Sequence, residues 1–210
     1  TLLYKFRSLD TDKHVDFVTD ILLRHRLFAA TPRSFNDPFA CDPCFCIEAT
    51  EEEKTERAVK RIMKEDPRIG RDDARRLARD RYLAAETSGL SQVRTFVDSK
   101  VGVVSFAATV ANPLLWAHYA GGHTGIAIEF CLSDLQHVTL FGDALPVRYQ
   151  IERPEIHFYR DKLLEQARKH LRTKSQHWAY EHEWRIIVQD RQESPYYPFD
   201  PAIVRAIYLG

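Results

Sequence analysis

The alternation in Leu2-Leu3-Tyr4-Lys5-Phe6-Arg7 predicts a strand near the start of the chain. The polar cluster Ser8 to Asp12 supplies capping side chains, and Val15, Val18, Ile21 and Leu22, three or four residues apart, predict a helix over 14–24 with one buried face. Leu27-Phe28-Ala29-Ala30 reads as a second short strand. Between Thr31 and Phe39, Pro32 and Pro38 forbid regular pairing, so a loop is expected, aromatic as well as polar. From about Thr50 to Lys100 charges dominate, and Pro67 to Gly70 divides the stretch into helices over 51–65 and 72–99. Thr50 is placed to cap the first, with Glu51, Glu52 and Glu53 at its positive end. Further strands are expected over 101–106, 125–130, 146–150, 183–188 and 203–209, with helices over 114–120 and 159–174. Asn112-Pro113 opens the first of these helices and Gly121-Gly122 stops it. Strands scattered without a βαβ rhythm indicate an α+β single domain over 1–210, with a split, mainly antiparallel sheet and a helical insertion at about 50–100.

Composition narrows what such a domain does. The 210 residues are 44% hydrophobic, enough for one core, and 30 basic against 30 acidic residues leave a net charge of zero. No global field gathers a polyanion or a membrane surface. The arginines of the insertion, Arg71, Arg75, Arg76, Arg79 and Arg81, interleave with Asp72, Asp73, Asp80 and Glu86, which describes a solvated, salt-bridged surface rather than an RNA site. No apolar run spans a membrane and no secretion signal opens the chain, so a cytoplasmic protein is expected. Cys41, Cys44 and Cys46 offer a Cys-x2-Cys spacing, but no second pair follows, so no metal is assigned.

Three stretches concentrate chemistry. Trp116, His118 and Tyr119, on a helix ending at a double glycine beside His123, place rings, donors and exposed amides together, as a nucleotide-like ligand requires; the same rings also suit a core. In Glu181-His182-Glu183-Trp184-Arg185, strand alternation would turn Glu181 and Glu183 to one face beside Arg185. Mutual repulsion would then raise the pKa of one carboxylate for acid or base work, unless Arg185 holds them in a structural pair. Asn36-Asp37-Pro38-Phe39 suits an Asx turn. Phosphate loops, the Rossmann fingerprint, the nucleophile elbow and the zinc-protease motif are all missing.

In order along the chain, Tyr4-Lys5-Phe6, Phe35-Asn36-Asp37-Pro38-Phe39, Val103 to Phe106, Leu115-Trp116-Ala117-His118-Tyr119 with His123-x-Gly125, and Lys174 to Arg185 resemble the bacterial domain-of-unknown-function 2971 (DUF2971) family. Ala40 stands where that family's Asn-Asp-Pro-Phe block continues with Glu. The family name implies no activity. The chain also resembles the three-part plan of ADP-ribosyltransferases, which bind NAD in the cleft of a split sheet. That resemblance implies Tyr4 or Arg7 on the first strand near the dinucleotide, Ser105 on the middle strand, and Glu183 holding the nicotinamide ribose and opposing the charge of an oxocarbenium-like transition state. Arg7 lies two residues later than that plan places it, and Ser105 lacks a following Thr-Ser.

The leading expectation is an NAD-using transferase or glycohydrolase, a toxin or phage-defence effector. Glu183, Glu181 and His118 would be catalytic, and Tyr4, Arg7, Asn36, Asp37, Ser105, Trp116, Tyr119 and His123 would bind the nucleotide. A macromolecule would be its acceptor. The alternatives are a metal-dependent nuclease, with Glu181, Glu183, Asp37 and the histidines gathering a divalent cation, and a non-catalytic module that binds a nucleotide or peptide.

Overall fold

The computed structural model describes residues 1–37, 44–46, 48–82, 100–131, 144–161, 163–188 and 194–210. In chain order these form β1 (Leu2–Arg7), α1 (Asp12–Leu22), β2 (Arg26–Phe28), β3 (Cys44–Cys46), α2 (Glu51–Glu65) and α3 (Arg71–Tyr82). There follow β4 (Gly102–Ala107), the helix Pro113–Tyr119, β5 (Ile126–Cys131), β6 (Leu145–Pro146), β7 (Arg148–Gln150), β8 (Glu155–His157) and the helix Leu163–Arg172. The chain closes with β9 (Thr173–Ser175), β10 (Glu183–Val188), β11 (Tyr196–Pro198) and β12 (Val204–Leu209). Six strands make the main sheet in the order β12-β5-β1-β4-β10-β6, every neighbouring pair antiparallel. The α+β fold with a mainly antiparallel sheet is thus as the sequence indicates. Short pairs flank it: β2 with β11 antiparallel, and β3 with β8 and β7 with β9 parallel.

The main sheet is joined unevenly. β1 is in register with β5 from Leu2–Cys131 to Arg7–Ile126, and β4 with β10 from Gly102–Val188 to Ala107–Glu183. Among the described residues β1 and β4 share a single register pair, Tyr4–Ala107, and the sheet opens beyond it. One face carries the main core: Leu3, Val104, Ile128, Phe130 and Ile186 pack with Ile21 of α1, Leu27 of β2 and Phe199. On the other face Phe6, Ala107 and Ala127 pack with Leu115 and Ala120 at the helix Pro113–Tyr119. Each fully buried Leu, Ile or Phe contributes about 1.5–3 kcal/mol, so these two clusters hold the halves of the sheet in place across the opening. Gly125 brings the start of β5 against β1, since a Cβ there would sit 2.2 Å from the Arg7 carbonyl oxygen.

Local signals explain most element ends, and pairing explains the exceptions. Asn112 caps Leu114, and Gly121 and Gly122 take φ of 59° and 64° after the helix, as expected. The stretch 146–150 does not form one strand, because β6 pairs with β10 while β7 pairs with β9, and Val147 between them donates its amide to the Glu183 carbonyl. The helix anticipated over 159–174 stops at Arg172; Thr173–Ser175 is drawn into β9 by β7. Residues 38–43, with Pro38, Ala40 and Cys41, and the far part of the second insertion helix, 83–99, lie outside the described residues. No described helix is long and apolar enough to cross a membrane.

α2 and α3 pack on their own small cluster of Val59, Ala74 and Ala78, tied by Arg71–Glu56 and Arg75–Glu52 ion pairs. At the start of α2, Thr50 accepts from the Glu53 amide at 3.2 Å and the Glu53 carboxylate accepts from the Thr50 amide at 2.8 Å, a reciprocal capping box. Replacing Thr50 by Ala is expected to remove about 1 kcal/mol from this helix. Because its cluster is separate from the main core, hydrogen exchange should quicken in the first turn of α2 and stay unchanged in β1, β4 and β10. Equal quickening in all of them would show that hairpin and sheet unfold as one.

Candidate functional site

A cavity of about 460 Å³ fills the opening between β1 and β4, lined by Lys5, Phe6 and Arg7 from one side and Val103, Ser105, Phe106 and Ala107 from the other. This volume falls in the range of small-molecule sites, about 300–1,000 Å³. Phe17 of α1, Phe28 of β2 and Phe35 close the apolar wall. Across the opening the Lys5 ammonium donates to the Ser105 carbonyl at 2.8 Å, a side-chain bond where a fully paired strand would supply an amide.

A chain of polar side chains forms the floor. Asn36 Nδ2 donates to the Tyr119 hydroxyl (3.4 Å), which donates to Glu181 Oε1 (2.6 Å). Buried Lys174 bridges Glu181 (2.5 Å) and Glu183 (3.2 Å). Arg185 grips Glu183 in bidentate fashion, Nε to Oε1 at 2.8 Å and Nη2 to Oε2 at 3.1 Å. Its Nη1 donates to the Leu171 carbonyl (2.7 Å), and its guanidinium lies over the Phe35 ring. Asp37, also buried, accepts the Ser175 amide at 3.2 Å. The elements that bring these groups together are short: β9 carries Lys174 beside β7, and the left-handed turn at His182 (φ 44°) joins the 3-10 helix Gln176–Glu181 to β10. Glu181 therefore lies before the strand, and it meets Glu183 through Lys174 rather than by strand alternation.

Electrostatics follow from that arrangement. Burial alone would raise the Glu183 pKa, but the charge and hydrogen bonds of Arg185, then Lys174 and the Ser105 hydroxyl, hold it down at about 2. The raised carboxylate pKa expected from a Glu–Glu pair is thus corrected for Glu183: two buried cations outweigh the repulsion. Burial, then the hydrogen bond and charge of Glu181, push the Tyr119 hydroxyl well up. Lys174 and Arg185 pair with Glu181 and Glu183, which leaves the two cations of β1 and the Asp37 carboxylate among the charged groups that line the cavity. Arg7 Nε is buried without a hydrogen-bond partner, and the guanidinium makes no ion pair among the described residues, lying over the Phe17 ring at 5.3 Å. Burial lowers its pKa to about 10, so it stays charged at neutral pH. Burial, reinforced by the charge of Arg7 and partly offset by Glu183, takes Lys5 well below the usual lysine range. The cavity wall thus carries a cation that no carboxylate of the described protein neutralises.

Of the residues singled out in the sequence, Tyr4, Arg7, Asn36, Asp37, Ser105, Tyr119, Glu181 and Glu183 line this cavity. Trp116, His118 and His123 do not. Trp116 is structural, its Nε1 donating to the Val110 carbonyl (2.7 Å) and its ring meeting Phe6 edge-on. His118 is exposed on the same short helix, and His123 is exposed in the turn after it with φ of 71°. Sequence reasoning missed Lys5 and Lys174 as site residues and saw Arg185 only as a partner for the glutamates. A lysine inside the apolar alternation of β1 was the available signal, because lysines are almost never fully buried unless paired.

A family model described as a protein of unknown function (DUF2971) matches residues 115–186, about a third of the chain. The match takes in Tyr119, Lys174, Glu181, Glu183 and Arg185, and leaves Arg7, Asn36, Asp37 and Ser105 outside. No curated protein and no solved structure matches the chain. None of these comparisons supports the resemblance to ADP-ribosyltransferases.

Proposed function

We propose that the cavity binds a phosphate-bearing nucleotide of the NAD type, and that the protein cleaves its nicotinamide N-glycosidic bond as a transferase or glycohydrolase. The observation that carries this reading is that Arg7, Ser105 and Glu183, from three adjacent strands, line one cavity, with Arg7 in no ion pair among the described residues. A phosphate oxygen is a natural partner for such a guanidinium, which presents its donors as a planar fork. The phenylalanine walls suit a base or a nicotinamide ring.

In the reaction the C–N bond to nicotinamide breaks, the electron pair leaves with nicotinamide, and a water or acceptor hydroxyl bonds the anomeric carbon and releases its proton. Positive charge grows on the ribose meanwhile, and an ionised carboxylate opposes it. Glu183, with its pKa near 2, is ionised at every physiological pH. Its neutral donor is the Ser105 hydroxyl, the group a ribose hydroxyl would displace. Arg185 and Lys174 offset part of the Glu183 charge, so binding is the stronger expectation and turnover the more demanding one. A metal-dependent nuclease draws less support, since Glu181 and Glu183 already face two buried cations that a divalent ion would have to displace.

Calorimetric titration with NAD, ADP-ribose and nicotinamide tests the reading. NAD and ADP-ribose should bind, and nicotinamide alone should not. Arg7→Ala should weaken both nucleotides at least about tenfold, some 1.4 kcal/mol, while its stability falls only by the lost contact with the Phe17 ring, about 0.5–2 kcal/mol, so the variant stays folded. Nicotinamide release by the wild type should vanish in Glu183→Gln. Absence of nucleotide binding would sink the proposal, and binding without release would leave a nucleotide-binding module.

A further inference from the structure

We propose that Cys46, Glu155 and His157 bind a divalent transition metal of the zinc class, at a site separate from the cavity and independent of its function. β3 and β8 pair in parallel with Cys46 opposite His157 and Cys44 opposite Glu155. Residues two apart on a strand share a face, so the pairing puts the thiol, the carboxylate and the imidazole on one side of a two-stranded ribbon. One ligand atom from each of Cys46, Glu155 and His157 lies within 4.8 Å of the others, and His157 Nε2 is 3.9 Å from Glu155 Oε1. Zinc bonds of about 2.0–2.3 Å in a tetrahedron separate ligand atoms by about 3.3–3.8 Å, so movements of about 1 Å close the set.

A second observation points to a missing partner. His157 Nδ1 is buried without a hydrogen bond among the described residues, a costly state for a ring nitrogen. Coordination through Nδ1 would give this nitrogen its partner, and coordination through Nε2, the nitrogen 3.9 Å from Glu155, would fix the tautomer with the proton on Nδ1. The donor set is also specific in kind. Thiolate with imidazole selects zinc and its neighbours over magnesium or calcium, which take oxygen ligands. Three protein ligands leave the fourth position to solvent, on the side where Glu155 is exposed. The metal would clasp β3 to β8, strands of three residues each that otherwise depend on a few main-chain bonds such as Phe158 N–H to the Cys46 carbonyl. The Cys-x2-Cys spacing of Cys41 and Cys44 would then be incidental, the true partners of Cys46 lying more than a hundred residues on.

Cobalt titration of the full chain under reducing conditions is the test. One equivalent of Co2+ should give a thiolate-to-cobalt charge-transfer band with the strong visible bands of a four-coordinate ion, and Zn2+ should displace it. Cys46→Ser should abolish the charge-transfer band, and His157→Ala and Glu155→Ala should each weaken binding at least tenfold. Cys41→Ser and Cys44→Ser should leave the band intact. If a variant fails to fold, zinc protection of Cys46 from alkylation in the wild type, read by mass spectrometry, replaces it. A chain without a saturable band, a band that survives in Cys46→Ser, or Cys46 alkylated equally with and without zinc would overturn the proposal.

Discussion

Replacing Arg185 by Met will cost about 3–5 kcal/mol of folding stability, a large part of what a domain of this size has. Arg185 is 1% exposed, and its guanidinium neutralises Glu183, satisfies the Leu171 carbonyl and covers the Phe35 ring. A methionine fills much of the space and supplies none of these bonds. Glu183 is then left, still buried, with Lys174 shared between it and Glu181. The penalty comes from the stranded carboxylate more than from the lost attraction, since desolvating a charge costs as much as pairing it returns. The double variant Arg185→Met, Glu183→Met should therefore recover much of the loss, a coupling that a double-mutant cycle reads directly. Urea denaturation of the wild type, the single variants Arg185→Met and Glu183→Met, and the double variant supplies the four stabilities the cycle needs. A single-variant loss below about 1 kcal/mol would mean that water reaches Glu183 in the folded protein, in line with a surface pair.

The second large effect is acid sensitivity. The Glu183 pKa is depressed from 4.5 to about 2 on folding, a difference worth about 3 kcal/mol at about 1.4 kcal/mol per unit. A depressed carboxylate binds more protons unfolded than folded. Its contribution is complete above the unfolded value near 4.5 and is lost as pH falls towards the folded value near 2. Lys5 acts with the opposite charge. Its folded pKa lies below the unfolded one, so the penalty for burying its ammonium is lifted as pH rises through the window between the two. Urea midpoints measured from pH 2 to 8 should fall steeply below about pH 5 in the wild type. The fall should be flatter in Glu183→Gln, which has no carboxylate to protonate at that position. Identical profiles would place the acid transition elsewhere.

What could be read from the chain alone was whatever depends on neighbours a few residues apart. Helix starts at Thr50 and Asn112 follow from side chains that reach amides two or three positions on, and the stop at Gly121-Gly122 from backbone freedom. The alternation of β1 and β10 marked both as strands, the residue types around Asn36, Tyr119 and Glu183 marked stretches that line the cavity, and Tyr4 and Ser105 entered only through resemblance to known families. Tertiary structure decided the rest. The opening between β1 and β4, the Lys5 bond to Ser105 a hundred residues away, and the Asp37 bond to Ser175 at a separation of 138 depend on strand order and register. So does the meeting of Cys46 with His157. Periodicity and capping are local, but the charge state of a buried group is set by whichever partners the fold delivers. That is why Glu183, singled out from sequence as one of a repelling pair, is a carboxylate held at low pKa between Lys174 and Arg185, while Arg7 keeps a charge that no carboxylate among the described residues pairs.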